Sequence, residues 1–396
     1  MPISSRPRAL LAAGLSTAVI ALAGCGSDDG GGVTTGTGGS DAGSVDVVAT
    51  TTVLGDIARA VGGDAVRVDQ LLQPNSDPHD YEPRPGDVVA TSKAALVLAS
   101  GDGLDDWIEE VVAQSAGDPT VLDLASELPV RRDSDDDDHD HADDDHAGEE
   151  AHAEDGHGHD HADDAHAGED DHGHDHAGEE AHAEDEHGHA GEAHADEESH
   201  ADDDGHDHGP TDPHWWHDPT NVEAAANAVR DALTAANPGG RAVYAANAAA
   251  YVSKVRALDA GIRRCLAAVP ERQRKLVTDH DALGYFADRY DVEVVGAVIP
   301  SLSTQAQPSA GDVAELARVI RREGVRAVFP ESGSSRKLPE ALAKETGVTA
   351  AYHLYGDALG PEGSGADTYL GMEAANADAM VRGFTGGERG CEIAGL

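Results

Sequence analysis

The chain has 396 residues, enough for two ordinary domains, and a formal net charge of −49. Between Asp133 and Gly209 lie 33 of the 76 acidic residues and none of the 27 lysines and arginines, so the rest is only moderately acidic. Neither part has the basic face that nucleic acid requires, which excludes that class of partner.

At the N-terminus, Arg6 and Arg8 precede the apolar run LLAAGLSTAVIALAG. The run is too short and too small-sided for a transmembrane span. It leads into Leu22-Ala23-Gly24-Cys25, which resembles the bacterial lipoprotein cleavage box, where the cysteine is lipidated and becomes the mature N-terminus. Residues 1–25 are accordingly assigned to a lipoprotein signal peptide with Cys25 as the lipidation site. Residues 26–44, rich in Gly, Ser and Thr, form a flexible tether. These assignments put the protein outside the cytoplasm, lipid-anchored to a bacterial cell membrane, on the periplasmic side if a second membrane exists.

Strands and helices then alternate. VDVVAT is a short apolar run suited to a buried strand, TTVLGDIARAVGGD has helical spacing, and VRVDQLL is a second strand. The turn-rich PNSDPHDYEPRPGD follows, then a helix DVVATSKA capped by Asp87, a strand ALVLAS, a helix around LDDWIEEVVAQSA and a strand TVLDLA. The alternation predicts a parallel sheet covered on both faces.

The tract 133–209 interrupts this lobe. HAGEEAHAED occurs twice in it, thirty residues apart, with almost no large apolar residue, so stacked copies would bury nothing and a disordered insertion is expected. Beyond it, Asp218-Pro219 reads as an N-cap and first-turn proline for a helix running to about Ala236. RAVYAANAAAYVSKVRALDAGIRRCLAAV then continues without a proline, long enough to span about 40 Å as a helix. The second alternation has strands at KLVTDH, VEVVGAV, RAVFPES and VTAAYHLY, with helices at HDALGYFADRY, SAGDVAELARVIRRE and SSRKLPEALAKET. The expected architecture is α/β: two Rossmann-like lobes joined by one long rigid helix, with a disordered His/Asp/Glu-rich insertion. The segments are 45–132 and 210–237 for the N-terminal lobe, 238–269 for the linking helix and 270–396 for the C-terminal lobe. Ligands in such sheets bind in the crevice at the strand ends. Outside the cytoplasm the remaining cysteines, Cys265 and Cys391, are expected to form a disulfide.

The histidines fall into two classes. Eighteen of the 23 lie in the tract among carboxylates, where each metal site would be weak because a disordered chain loses entropy on wrapping an ion. The other five, His79, His214, His217, His280 and His353, sit among structure-forming segments. PNSDPHDYEPRPGD, DPHWWHDPTN, TDHDALGYFADRY and LYGDALGPEGSGADTYLGM closely resemble, in order, the motifs of the cluster A-I metal-binding proteins of ABC importers, from Val45 to about Phe384 apart from the tract. That resemblance implies two lobes on a rigid helix, a His-rich loop where many zinc members carry one, and a metal clamped by His79, His214, His280 and Asp357. It also implies an ABC membrane permease as partner; a monomer is expected. His217 departs from the pattern, standing where an apolar residue is usual. It is a group behind the ligands, a handover ligand for metal from the tract, or a surface residue; the last is favoured, because four ligands already complete a tetrahedron. Trp215 and Trp216 wall the site or pack under the helix start, and His353 is structural.

Three imidazoles and one carboxylate suit Zn2+, with His280 where manganese-specific relatives usually carry Glu. Manganese or iron is the alternative cargo, and a surface zinc buffer or adhesin without transport the alternative role. A metallohydrolase would need an open metal position and a general base, for which Glu82 and Glu331 are candidates. Asp357 fills the fourth position and no His-Glu-x-x-His is present, so both glutamates are read as acceptors that orient imidazole N–H groups. No enzyme activity is expected.

Overall fold

The computed structural model describes residues 43–133 and 211–396; the expectations for the signal peptide, Cys25 and the tract interior lie outside these residues. The N-terminal part is built from β1 (Val45–Ala49), α1 (Thr52–Gly62), β2 (Val66–Gln70), α2 (Pro85–Thr91), β3 (Leu96–Ala99), α3 (Trp107–Gln114), β4 (Thr120–Asp123) and α4 (Pro219–Ala236). Its four strands are parallel in the order β2-β1-β3-β4. The central strands β1 and β3 are apolar runs buried on both faces, while β2 at the edge alternates between half-buried and exposed side chains. Asp218 caps α4 by accepting from the Thr220 N–H at 2.7 Å, with Pro219 in the first turn. At α2 the expected cap is displaced. The helix begins at Pro85, and Asp87 lies inside its first turn, accepting from the Arg84 N–H at 2.6 Å.

The 27-residue α5 (Arg241–Ala267) follows, about 40 Å long at 1.5 Å per residue. It packs against α1 and α4 of the N-terminal part and against α6 and α9 of the C-terminal part. The C-terminal part comprises β5 (Lys275–His280), α6 (Gly284–Tyr290), β6 (Glu293–Ile299), α7 (Ala310–Glu323), α8 (Lys337–Thr346) and α9 (Tyr369–Thr385). Two of its four expected strands, RAVFPES and VTAAYHLY, are extended segments held by isolated parallel bridges, Ala327 to Thr349 and Glu331 to Leu354. The physical reason is local: Pro330 has no N–H to donate, so a continuous ladder cannot pass it. The Phe329 N–H donates to the Val277 carbonyl at 2.9 Å, and the Val328 N–H to Thr349 at 2.9 Å. The order is therefore β6-β5, then 327–331, then 349–354, the same order as in the first lobe.

The largest hydrophobic core runs through both lobes, from Val47 and Ile57 through Tyr244, Val255 and Leu258 of α5 to Phe329 and Met380, and each lobe has a smaller core of its own, around Val97 and Ile108 in the first and Val277 and Ile320 in the second. Cys265 near the end of α5 is disulfide-bonded to Cys391 beyond α9, with the Cα atoms 5.5 Å apart. Among the described residues no helix is long and apolar enough to cross a membrane.

Candidate metal centre

The C-terminal ends of the parallel strands point into one interlobe cleft. His79 sits in a short turn (Pro78–Asp80) after β2, His214 at the entry to the turn Trp215–His217 before α4, His280 is the last residue of β5, and Asp357 follows the 349–354 segment. One donor atom from each of these four lies within 4.8 Å of every other. The Nε2 atoms of His79 and His280 are each 3.3 Å from that of His214. Asp357 Oδ1 lies 3.3 Å from His214 Nε2 and 3.5 Å from His280 Nε2, and Asp357 Oδ2 lies 3.9 Å from His79 Nε2. His214 and His280 are fully buried and the Asp357 side chain nearly so.

The ring nitrogens that face away from the cluster determine what the inner ones can do. His214 Nδ1 is 2.8 Å from Asp212 Oδ1, and His280 Nδ1 is 2.7 Å from Glu331 Oε1. A carboxylate accepts, so each Nδ1 carries a hydrogen and each Nε2 is the ring atom turned to the cluster, the one whose lone pair a metal would take once any proton there is lost. Electrostatics separate the three imidazoles. Burial pushes His79 down to about 4, so its ring is neutral near pH 7. Burial opposes protonation of His214 too, but hydrogen bonds to Asp212 and Asp357 outweigh it and raise that ring to about 9. His280 rises well above the ordinary value, the charges of Glu331 and Asp357 overcoming burial. Asp357 is held well below the usual carboxylate range, because His280 and His214 outweigh its burial.

Among the auxiliary residues, Glu331 is the carboxylate in contact with His280 Nδ1. Glu82 makes no such contact: it is exposed on the loop 81–84, with no hydrogen bond to His79. The His79 backbone is held instead by Asp77, which accepts its N–H at 2.9 Å, and by Gln305, which donates to its carbonyl. His217 is not a surface residue and has no nitrogen free to receive a metal. It is fully buried, with Nδ1 2.6 Å from Glu373 Oε1 and Nε2 2.9 Å from the Gly356 carbonyl. The reason is its place in a turn whose neighbours, Trp215 and Trp216, pack into the core beneath α4. Trp215 Nε1–H reaches Ser100, and Trp216 stacks edge-on against His214 with centroids 5.5 Å apart. His353 is half-buried away from the cluster. Asp212 was not anticipated. A signal for it exists in the repeated tripeptide Asp-Pro-His at 77–79 and 212–214, in which the aspartate accepts the N–H of the histidine two residues on.

Residues 47–383 match the ZnuA family, described as zinc-uptake complex component A, periplasmic. The chain belongs to that family. Members are substrate-binding proteins of ABC metal transporters, not enzymes, and this chain is an extracytoplasmic metal-binding component of that kind. It is 36% identical over 330 residues to the high-affinity zinc uptake system protein ZnuA of Paracoccus denitrificans, covering 83% of this chain and 87% of that protein. It is 27% identical over 372 residues to the manganese-binding lipoprotein MntA of Halalkalibacterium halodurans, covering 93% and 96%. The solved periplasmic zinc-binding protein TroA of Treponema pallidum superposes with a TM-score of 0.64 at 25% identity, covering 86% of this chain and 99% of TroA. The family therefore spans zinc and manganese binders on one two-lobed frame.

Proposed function

We propose that this protein captures zinc between its lobes and delivers it to an ABC permease, with His79, His214, His280 and Asp357 as ligands. The observation that carries the reading is the donor set: three imidazole nitrogens and one carboxylate, buried and mutually close. A tetrahedral ion with bonds of 2.0–2.1 Å needs donors separated by about 3.3–3.4 Å. The contacts of 3.3, 3.3, 3.3 and 3.5 Å that join His214 to the other three donors and Asp357 to His280 fit that spacing, and the Asp357–His79 contact, at 3.9 Å, is longer. Imidazole-rich sets favour zinc over manganese, which prefers more oxygen. With four protein donors, no position remains for a reactive water, in keeping with capture and release. The motif at Cys25 supports a lipid anchor, and Cys25→Ser is expected to release the protein from the membrane fraction.

Manganese is the second reading, favoured by the likeness to MntA. Loading the metal-free protein with equal zinc and manganese, followed by elemental analysis, separates the two. Zinc is expected to occupy the site nearly alone; a manganese-filled site would overturn the choice of cargo.

A further inference from the structure

His217 and Glu373 form a buried polar pair that the ligand set does not use. Both are fully buried, and their contact at 2.6 Å joins the turn before α4 to α9. The other ring nitrogen, Nε2, donates to the Gly356 carbonyl at 2.9 Å, and the same carbonyl accepts the Trp216 Nε1–H at 2.9 Å. Two adjacent residues of the first lobe thus hold one peptide of the second, immediately before Asp357. Gly356 is confined on its other side as well. A Cβ there would lie 3.1 Å from Glu331 Oε2, the carboxylate that orients His280. A third contact closes the arrangement: the Tyr369 hydroxyl at the start of α9 donates to the Trp216 carbonyl at 2.9 Å.

A fully buried imidazole–carboxylate pair is an expensive way to fill space, since apolar side chains of similar volume avoid the desolvation altogether. Its geometry here does something apolar groups cannot do, which is to grip a carbonyl. We infer that His217 is a positioning residue: fixed by Glu373, it clamps the Gly356 carbonyl together with Trp216 and so sets the Asp357 carboxylate against the three imidazoles. Because His214 and His217 lie in one turn, the clamp fixes a ligand of the first lobe and a ligand of the second in a single unit. This rests on the proposed role of Asp357 as a metal ligand.

The test compares three variants of the full chain, with zinc affinity by competition and the cobalt(II) absorption spectrum as readouts. His217→Leu with Glu373→Met removes both partners at once, so no buried charge is left alone and the fold is retained. This double variant is expected to melt near the parent temperature, to lose about 10–100-fold in zinc affinity, and to show a cobalt spectrum altered from the parent's. His217→Gln, which keeps an N–H donor for the carbonyl, is expected to recover most of the affinity. Asp357→Ala is the control for the site itself. If Asp357→Ala weakens binding while the double variant keeps parental affinity and spectrum, the clamp is overturned and the site stands. If Asp357→Ala binds like the parent, both fall. A double variant that melts early yet binds cobalt with the parental spectrum also overturns the clamp, since the pair then serves stability alone.

Discussion

Asp212 and Glu331 each take the Nδ1 hydrogen of an imidazole whose Nε2 faces Asp357. Losing such a partner frees the ring to rotate and lowers its basicity. Asp212→Ala is therefore expected to weaken zinc binding by about 10–100-fold in a competition titration; parental affinity would show that packing against Trp216 is enough to hold His214. Protons give a second expectation. Metal and proton compete for the same lone pair, and His214 and His280 both have raised pKa values, His214 at about 9. Zinc loading at pH 7 should release at least one proton, read as a dependence of calorimetric heat on buffer ionisation enthalpy. Apparent affinity should rise with pH through the neutral range and level off above the raised values. His79, pushed down to about 4, contributes no proton there. A buffer-independent heat would contradict the charge state assigned to these imidazoles in the metal-free protein.

At the scale of elements, the ligands are delivered by ends: the end of β5, the turn after β2, the turn before α4, and the loop after 349–354. Each is short and tied by local hydrogen bonds, so the frame behind them sets their spacing. The backbone of that frame is α5, closed at its far end by the Cys265–Cys391 disulfide across 126 residues. Cys391→Ser is expected to lower stability by about 2–5 kcal/mol in denaturant titration. Zinc affinity should be unchanged, because neither cysteine is near the cleft; an equal loss of affinity would mean that α5 transmits strain to the ligands. Much of this frame is legible in the chain. Buried strands announce themselves by apolar runs, and the Asp218-Pro219 start of α4 by its cap. The last two strands of the second lobe were less legible, because RAVFPES reads as a strand until its proline is counted against the ladder. His217 shows a different limit. A histidine beside a metal site can be ligand, surface or buried support, and only the position of Glu373, 156 residues on, decides among them.

Across the whole molecule the lobes share one core and are sewn together around the cleft. The Asn75 N–H donates to the Leu359 carbonyl at 3.1 Å, the Leu359 N–H to Thr52 Oγ1 at 2.8 Å, and Thr304 Oγ1–H to Asp77 Oδ2 at 2.6 Å. Opening wide about α5 would break these contacts and expose shared apolar surface, so exchange of the ion requires local movement of the ligand loops more than separation of the lobes. The histidines of residues 134–210 stand apart from this arrangement in sequence, and the chain ends that flank them pair directly through Asp133 and Thr211. That pairing leaves His214 anchored by Asp212 whatever the intervening chain does, since the Asp212 N–H donates to the Arg132 carbonyl at 2.8 Å. The most direct measurement is a calorimetric zinc titration of the protein with and without residues 134–210. One tight site that survives the deletion, with weak binding lost, is the predicted result. Disappearance of tight binding with the deleted segment would contradict a zinc centre built from His79, His214, His280 and Asp357.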